Sequence, residues 1–154
     1  MIKKMMLSAI LICSISNIFG QKAEIKSVQY VNTEILVPGN YTAQDEYSIE
    51  SDFFSAQWLY LSKEMVEQGI EKEIIRQFED QLKYSKTSAV SFVSNGGYFT
   101  GKQYELRRGN NFKFKVLAFG VVDKQPLILN LGFKAVPKTD GKSDDLMKIF
   151  IQWE

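Results

Sequence analysis

The sequence predicts an α+β domain, in which an antiparallel β-meander of four to five strands curves around one main amphipathic helix. Between residues 63 and 84, apolar residues recur every four positions, which is the spacing of a helix with one buried face. From residue 88 onward the apolar residues alternate, and turn sequences recur at regular spacing. One N-terminal strand precedes both segments, so the predicted order is strand, helix and meander.

The first 20 residues are typical of a secretory signal peptide. Two lysines precede an apolar run over residues 5–19, which is too short to span a bilayer comfortably. We expect cleavage after Gly20. Lipidation at Cys13 is disfavoured, because the three residues before it are isoleucine and leucine rather than a small residue. Residues 21–154 then form a single α+β domain in the periplasm or outside the cell.

Composition excludes several classes of function. The 154-residue chain is 45% hydrophobic and 24% charged, as in one soluble domain. Its 19 basic and 18 acidic groups become 17 and 18 once Lys3 and Lys4 are removed, a balance that does not favour nucleic acid or an anionic membrane. There is no histidine, and the single cysteine lies in the predicted signal peptide. The mature chain therefore lacks the residues of a Ser-His-Asp triad, a cysteine nucleophile, a usual zinc site or a disulfide. We expect no cofactor, no metal and no membrane segment after cleavage.

The segment before the helix is only partly assigned. Residues 23–31 alternate in polarity and predict an edge strand, which offers a second copy of the chain a surface for dimerisation. Residues 32–61 are rich in acidic and aromatic side chains but have no clear period. Within them, residues 58–61 fit either a short strand or the first turns of a helix capped by Ser51.

The main helix is predicted to contain a break. Gly69 lies inside the periodic segment and costs about 1 kcal/mol relative to alanine in a helix interior. The pattern therefore favours a short helix at 63–68 followed by a longer one at 70–84.

Loop lengths predict the register of the meander. Loops of three residues at 95–97 and 109–111, and of four residues at 123–126, bring apolar residues to one face of the sheet. A last strand is predicted over residues 147–153. The pairs that follow from these loops are Phe92 with Thr100, Tyr104 with Val116, Leu106 with Phe114, and Ala118 with Leu131.

This order of elements is similar to the cystatin-like and nuclear-transport-factor-like arrangements, in which a meander wraps a helix. The resemblance is one of fold, since the sequence carries no family motif, and it does not confer a function. It implies either a pocket between sheet and helix or a filled core. The aromatic residues expected at that position are Trp58, Phe78, Tyr98, Tyr104, Phe114 and Phe133.

A basic hairpin tip is the main candidate site. The predicted register sets Arg107 beside Lys113, and Glu105 beside Lys115. Like charges directly opposite are destabilising, and an anionic ligand or an acidic protein surface would offset that cost. Charged strand ends that deter aggregation explain the same residues. The candidate ligand-binding residues are Arg107, Lys113, Lys115, Trp58 and Tyr104.

Two acidic clusters offer weaker alternatives. The carboxylates of residues 45–52 could supply the acid and base of a glycosidase, which needs no histidine, or could form a solvated loop. The carboxylates of residues 140–145 could bind calcium, or could belong to a polar connection between strands. The first cluster is Asp45, Glu46, Glu50 and Asp52, and the second is Asp140, Asp144 and Asp145.

These observations favour an exported, non-enzymatic binding module that holds a small ligand or docks on an envelope protein. One alternative is a carboxylate-based enzyme that acts on a glycan, with the aromatic residues of the acidic segment stacking on sugars. The other is a periplasmic inhibitor or immunity-type protein that acts by surface complementarity.

Overall fold

The computed structural model describes residues 23–107, 111–137 and 144–154. The predicted signal peptide and its cleavage site lie outside these ranges. The described part forms nine strands and three short helices. The strands are β1 (Ser27–Tyr30), β2 (Thr33–Leu36), β3 (Ser48–Glu50), β4 (Phe54–Tyr60), β5 (Tyr84–Ser94), β6 (Gly97–Leu106), β7 (Phe114–Val122), β8 (Gln125–Phe133) and β9 (Gln152–Trp153). The helices are α1 (Lys63–Glu67), α2 (Ile70–Gln81) and α3 (Asp145–Phe150).

Seven of these strands form one antiparallel sheet that curls into a half-barrel. The strand order is β3-β4-β8-β7-β6-β5-β9, and every neighbouring pair is antiparallel. Strands β1 and β2 form a separate two-stranded sheet. The molecule is therefore mostly antiparallel sheet with a few short helices, which agrees with the predicted α+β class.

The principal hydrophobic core lies on one face of the large sheet, which we call the core face. Phe99, Val116, Leu129 and Trp58 share this face and are each at most 2% exposed. The β1–β2 hairpin and α3 contribute buried side chains to the same cluster. Phe150 of α3 is fully buried, with its ring centroid 5.5 Å from that of Trp58.

The opposite face, which we call the outer face, carries α2 and a smaller cluster. Tyr104 and Leu117 are buried there against Phe78 of α2 and against Leu82, which follows that helix. The principal core thus lies on the face away from the main helix, whereas the sequence predicted a core between that helix and the sheet. The physical reason is that β7 is apolar on both faces, since residues 116–118 are all buried.

Two tight turns change the predicted register. Asn95 and Gly96 have φ of 45° and 80°, and form a two-residue turn between β5 and β6 where a three-residue loop was predicted. Phe92 therefore pairs with Phe99, not with Thr100. The one-residue shift moves every β6 side chain to the other face relative to the prediction.

The turn between β7 and β8 is also shorter than predicted. Asp123 and Lys124 have φ of 45° and 66°, and replace the four-residue loop by two residues. Ala118 pairs with Leu129 rather than Leu131. Because the shift is two residues, the predicted face of each side chain is kept.

Between β6 and β7 the shift is again one residue. Tyr104 pairs with Lys115, not with Val116. Tyr104 therefore lies on the outer face, where α2 covers it, and the predicted sharing of one face by Tyr104 and Val116 is wrong.

The predicted break in the main helix is confirmed. Gly69 lies between α1 and α2 with φ of 72°, a left-handed conformation that glycine adopts at little cost. Ser62 rather than Ser51 caps the first helix, since its hydroxyl accepts a hydrogen bond from the amide of Met65 at 3.2 Å. Residues 58–60 belong to β4, so the strand interpretation of that segment is correct.

The predicted last strand, residues 147–153, is helical over its first part. Asp144 caps α3 by accepting a hydrogen bond from the amide of Met147 at 2.7 Å. Leu146 and Phe150 lie one turn apart and are both buried. Only the short strand β9 remains of the prediction, because apolar residues at this spacing fit either period in so short a segment.

The N-terminal strand is shorter than predicted. Strand β1 buries Val28 and Tyr30 and pairs with β2 alone. The hydroxyl of Tyr60 accepts a hydrogen bond from the amide of Val31 at 2.8 Å and donates one to the carbonyl of Gln29 at 3.3 Å. Tyr60 thus occupies part of the edge that was expected to pair with a second copy.

Candidate functional site

The structure places the two aromatic candidates inside the protein. Trp58 is 2% exposed on the core face, and its ring packs against Tyr30 and Phe150. Tyr104 is fully buried on the outer face, with its ring centroid 5.1 Å from that of Tyr84. Both rings fill hydrophobic clusters, and neither is accessible to a ligand from solvent.

The six aromatic residues expected around a common pocket are divided among three environments. Those of the core face are buried in the principal cluster, and those beneath α2 belong to the smaller one. Tyr98 is 54% exposed at the surface. The core-face group is Trp58, Phe114 and Phe133, and the α2 group is Phe78 and Tyr104.

The basic residues of the hairpin tip do not meet in the predicted pairs. Lys113 is exposed, and its carbonyl accepts a hydrogen bond from the amide of Leu106, so Leu106 rather than Arg107 lies opposite it. Arg107 is also exposed, and its amide donates to the carbonyl of Lys83 at 2.8 Å. Arg108 of the same tip lies outside the described residues.

Lys115 differs from its neighbours because it is half-buried on the outer face. Its ammonium donates a hydrogen bond to Oδ1 of Asn130 at 3.3 Å, and Nδ2 of Asn130 donates to Oε1 of Gln57 at 3.4 Å. Burial lowers the pKa of Lys115. No ion pair within the described ranges involves this lysine.

Lys115 lines a polar cleft of about 220 Å³, which we call the Lys115 cleft. Strand pairing explains the position of its walls, because Lys115 is opposite Gly132, which is in turn opposite Ser55. Asn130 is likewise opposite Gln57 in the next row. The large sheet thus aligns polar side chains from three strands on its outer face.

Phe112 closes one side of this cleft. A Cβ atom at Gly132 would lie 2.9 Å from the Phe112 ring and 2.5 Å from the hydroxyl oxygen of Ser55, so only glycine leaves room for the ring here. A second polar cleft of about 400 Å³ begins on the other side. Both clefts are lined by Phe112 and Glu50, so they adjoin.

The acidic candidates are distributed over these clefts. Asp45 and Glu50 line the Lys115 cleft, and Asp52 lines the second one with Glu50. Asp45 accepts hydrogen bonds from the amide of Tyr47 and the hydroxyl of Ser48, both at 2.8 Å. Glu46 lies elsewhere, at a third cavity.

The predicted calcium ligands have structural partners where they are described. Asp144 caps α3 and accepts a hydrogen bond from the hydroxyl of Tyr41 at 2.7 Å. Asp145 forms an exposed ion pair with Lys148 at 3.5 Å. Asp140 lies outside the described residues, within which no group of three or more acidic, histidine or cysteine side chains is placed to hold a metal ion.

Sequence reasoning missed the amide and aromatic residues of the Lys115 cleft. Asn130 offers the clearest signal, because it is the one polar residue in the apolar run 127–131 of β8. Gln57, Phe112 and Gly132 carry no such signal, since strand pairing alone brings them together.

In the described parts of the chain, no helix is long and apolar enough to cross a membrane.

Comparison of the chain with protein-family models, with curated proteins and with solved structures found no match.

Proposed function

We propose that the protein is an exported, non-enzymatic binding module that holds a small anionic ligand in the Lys115 cleft. The observation that carries this proposal is a half-buried ammonium whose hydrogen-bond partner is a neutral amide. Partial loss of hydration makes such a cation costly unless a negative group compensates it. Asp45 and Glu50 line the same cleft, but among the described residues neither forms an ion pair with Lys115. A carboxylate, sulfate or phosphate on a ligand would supply that group through a charge-assisted hydrogen bond.

The amide, hydroxyl and aromatic groups of the lining favour a sugar acid over a bare inorganic ion. Gln57, Asn130 and Ser55 offer amide and hydroxyl groups that can both donate and accept hydrogen bonds, as sugar hydroxyls require. Phe112 adds an aromatic wall beside them. A cleft of about 220 Å³ is of a size for one small ring rather than a long chain.

A glycan-acting enzyme is the second candidate. It is favoured by the presence of Asp45 and Glu50 in the same cleft, because a pair of carboxylates is the machinery of most glycosidases. The Asp45 carboxylate is already engaged by a turn, as described above, which suits a structural role better than proton transfer. Slow release of a reducing sugar from envelope glycans, abolished by Glu50→Gln, would favour the enzyme.

The first experiment is native mass spectrometry of the mature protein purified from its envelope fraction. A bound ligand of a few hundred daltons is expected, and it should be absent from Lys115→Met but present in Lys113→Met. Lys113 is the matched control, because it is an exposed lysine immediately before β7, the strand that carries Lys115. The mass under denaturing conditions also reports cleavage after Gly20.

Binding is then measured by calorimetry with D-glucuronate, and with D-glucose as its neutral counterpart. We expect glucuronate to bind more tightly, and this preference to disappear in Lys115→Met only. Absence of any bound molecule, together with equal binding of the two sugars, would overturn the proposal. A native complex with a foreign protein would instead favour the inhibitor or immunity-type function.

A further inference from the structure

A separate cavity of about 550 Å³ lies between the small sheet and the end of β4. Side chains of β1 and β2 line one side of it, and Tyr47 and Tyr60 line the other. We call it the tyrosine cleft. It shares no lining residue with the Lys115 cleft.

The two tyrosine rings meet at a right angle. Their centroids are 6.0 Å apart and their planes are inclined by 87°, so they form two adjoining walls. Strand pairing sets this arrangement, because the carbonyl of Tyr47 accepts a hydrogen bond from the amide of Trp58, two residues before Tyr60. Tyr60 is the last residue of β4, and Tyr47 lies in the turn immediately before β3, the neighbouring strand.

The Tyr60 side of the tyrosine cleft is preorganised. The Tyr60 hydroxyl is held by its two hydrogen bonds to the backbone of Gln29 and Val31. Tyr47 is 44% exposed, and its ring is packed against that of Tyr60. A ligand would therefore lose little affinity to the ordering of the Tyr60 side chain.

The charge of the cleft has one sign. Among the residues that the structure describes, the two charged ones that line the cleft are Glu34 and Glu46, and no lysine or arginine of those ranges lines it. A negative rim beside aromatic faces attracts cations, because the face of each ring carries partial negative charge.

We propose that the tyrosine cleft binds an organic cation, with an ammonium group placed against Tyr47 and Tyr60 and neutralised by Glu34 and Glu46. The same chemistry is offered by a free quaternary ammonium compound and by a lysine side chain of another protein. It differs from the chemistry proposed for the Lys115 cleft, where the ligand is anionic.

The test compares choline with 3,3-dimethyl-1-butanol, which has the same shape without the charge. Both are titrated into the mature protein by NMR, and Nα-acetyl-lysine methylamide is titrated in parallel. We expect choline or the lysine amide to shift the resonances of the cleft, and the neutral alcohol not to. The stronger of the two cations identifies the source of the ammonium group.

Variants separate the cleft from the general surface. Tyr47→Leu keeps an apolar wall but removes the ring, and should weaken cation binding about fivefold. Glu46→Gln should weaken it about threefold, and less at high salt. Tyr98→Leu is the matched control, because Tyr98 is an exposed tyrosine outside the cleft.

Equal binding of choline and the neutral alcohol would overturn the proposal, and so would failure of both cations to bind. An equal loss of affinity in Tyr98→Leu and Tyr47→Leu would also overturn it. Because Lys115 is not part of this cleft, these results are independent of the outcome at the Lys115 cleft.

Discussion

Replacement of Lys115 by methionine is expected to stabilise the protein in the absence of ligand. Methionine keeps the length of the side chain but removes a half-buried ammonium, whose hydrogen bond to Asn130 is a long one of 3.3 Å. Asn130 keeps its hydrogen bond to Gln57. Because the lost bond is weak and the removed charge is costly, we expect the free energy of unfolding at pH 7 to rise by about 1 kcal/mol.

The pH dependence tests the physical cause. Burial lowers the pKa of Lys115 in the folded protein below its ordinary value of 10.5. Between these two values the unfolded chain binds more protons than the folded chain, so the stability of the parent protein rises with pH in that window. The advantage of Lys115→Met should therefore shrink from pH 7 to pH 10 and vanish above about pH 10.5.

Urea unfolding at pH 7 and at pH 10, followed by tryptophan fluorescence, measures the difference in the free energy of unfolding between the variant and the parent. Tyrosine ionisation affects both proteins alike and cancels in that difference. Lys113→Met, at an exposed lysine, should change stability by less than about 0.5 kcal/mol at either pH. A loss of more than about 1 kcal/mol in Lys115→Met at both pH values would refute the reasoning, because it would show that Lys115 already has a stabilising partner.

Three further predictions concern the fold. Phe150→Ala removes a fully buried ring that links α3 to the core, and should lower the free energy of unfolding by about 3–5 kcal/mol in urea titrations. Gly101→Ala would place a Cβ atom 2.0 Å from the carbonyl oxygen of Leu117, so we expect the free energy of unfolding to fall by about 1–3 kcal/mol in the same titrations. Gly39→Ala is the control, because a Cβ atom there has no neighbour within 4 Å, and it should change that free energy by less than about 0.5 kcal/mol. Burial raises the pKa of Tyr30 above its ordinary value of 10.0, so the parent protein should lose stability as the pH rises past 10. Tyr30→Phe should lose less over that range, and an equal loss in both proteins would contradict the assignment.

The elements that local chemistry defines are the ones that sequence reasoning found. The helix of residues 63–84 was predicted with its break, because Gly69 interrupts a strong four-residue period. Helix α3 was missed, because Met147, Ile149 and Ile151 also alternate and the segment is too short for one period to dominate. In that segment Asp144 was the cue, since a capping carboxylate favours a helix start.

Register was the main failure, and it has a physical explanation. The dipeptide Asn95-Gly96 forms the tight turn that such pairs favour. The three-residue loop at 95–97 was inferred because it brought apolar residues to one face of the sheet. Alternation does not select the register where β6 ends and β7 begins, because β6 buries Tyr104 and Leu106 on the outer face while β7 buries Phe114 on the core face. A slip of one residue then exchanges one acceptable apolar set for another.

The sequence by itself determined the antiparallel meander and the broken helix, because these depend on residue type and local spacing. It also singled out Lys115, although by a wrong pairing with Glu105. Only the tertiary structure decided that Lys115 is the half-buried lysine of its hairpin, that Gln57 and Asn130 lie beside it, and that Tyr47 and Tyr60 form a cleft. These neighbours come from strands that are distant along the chain, and their proximity depends on a register that side-chain pattern leaves open when both faces of a sheet are buried.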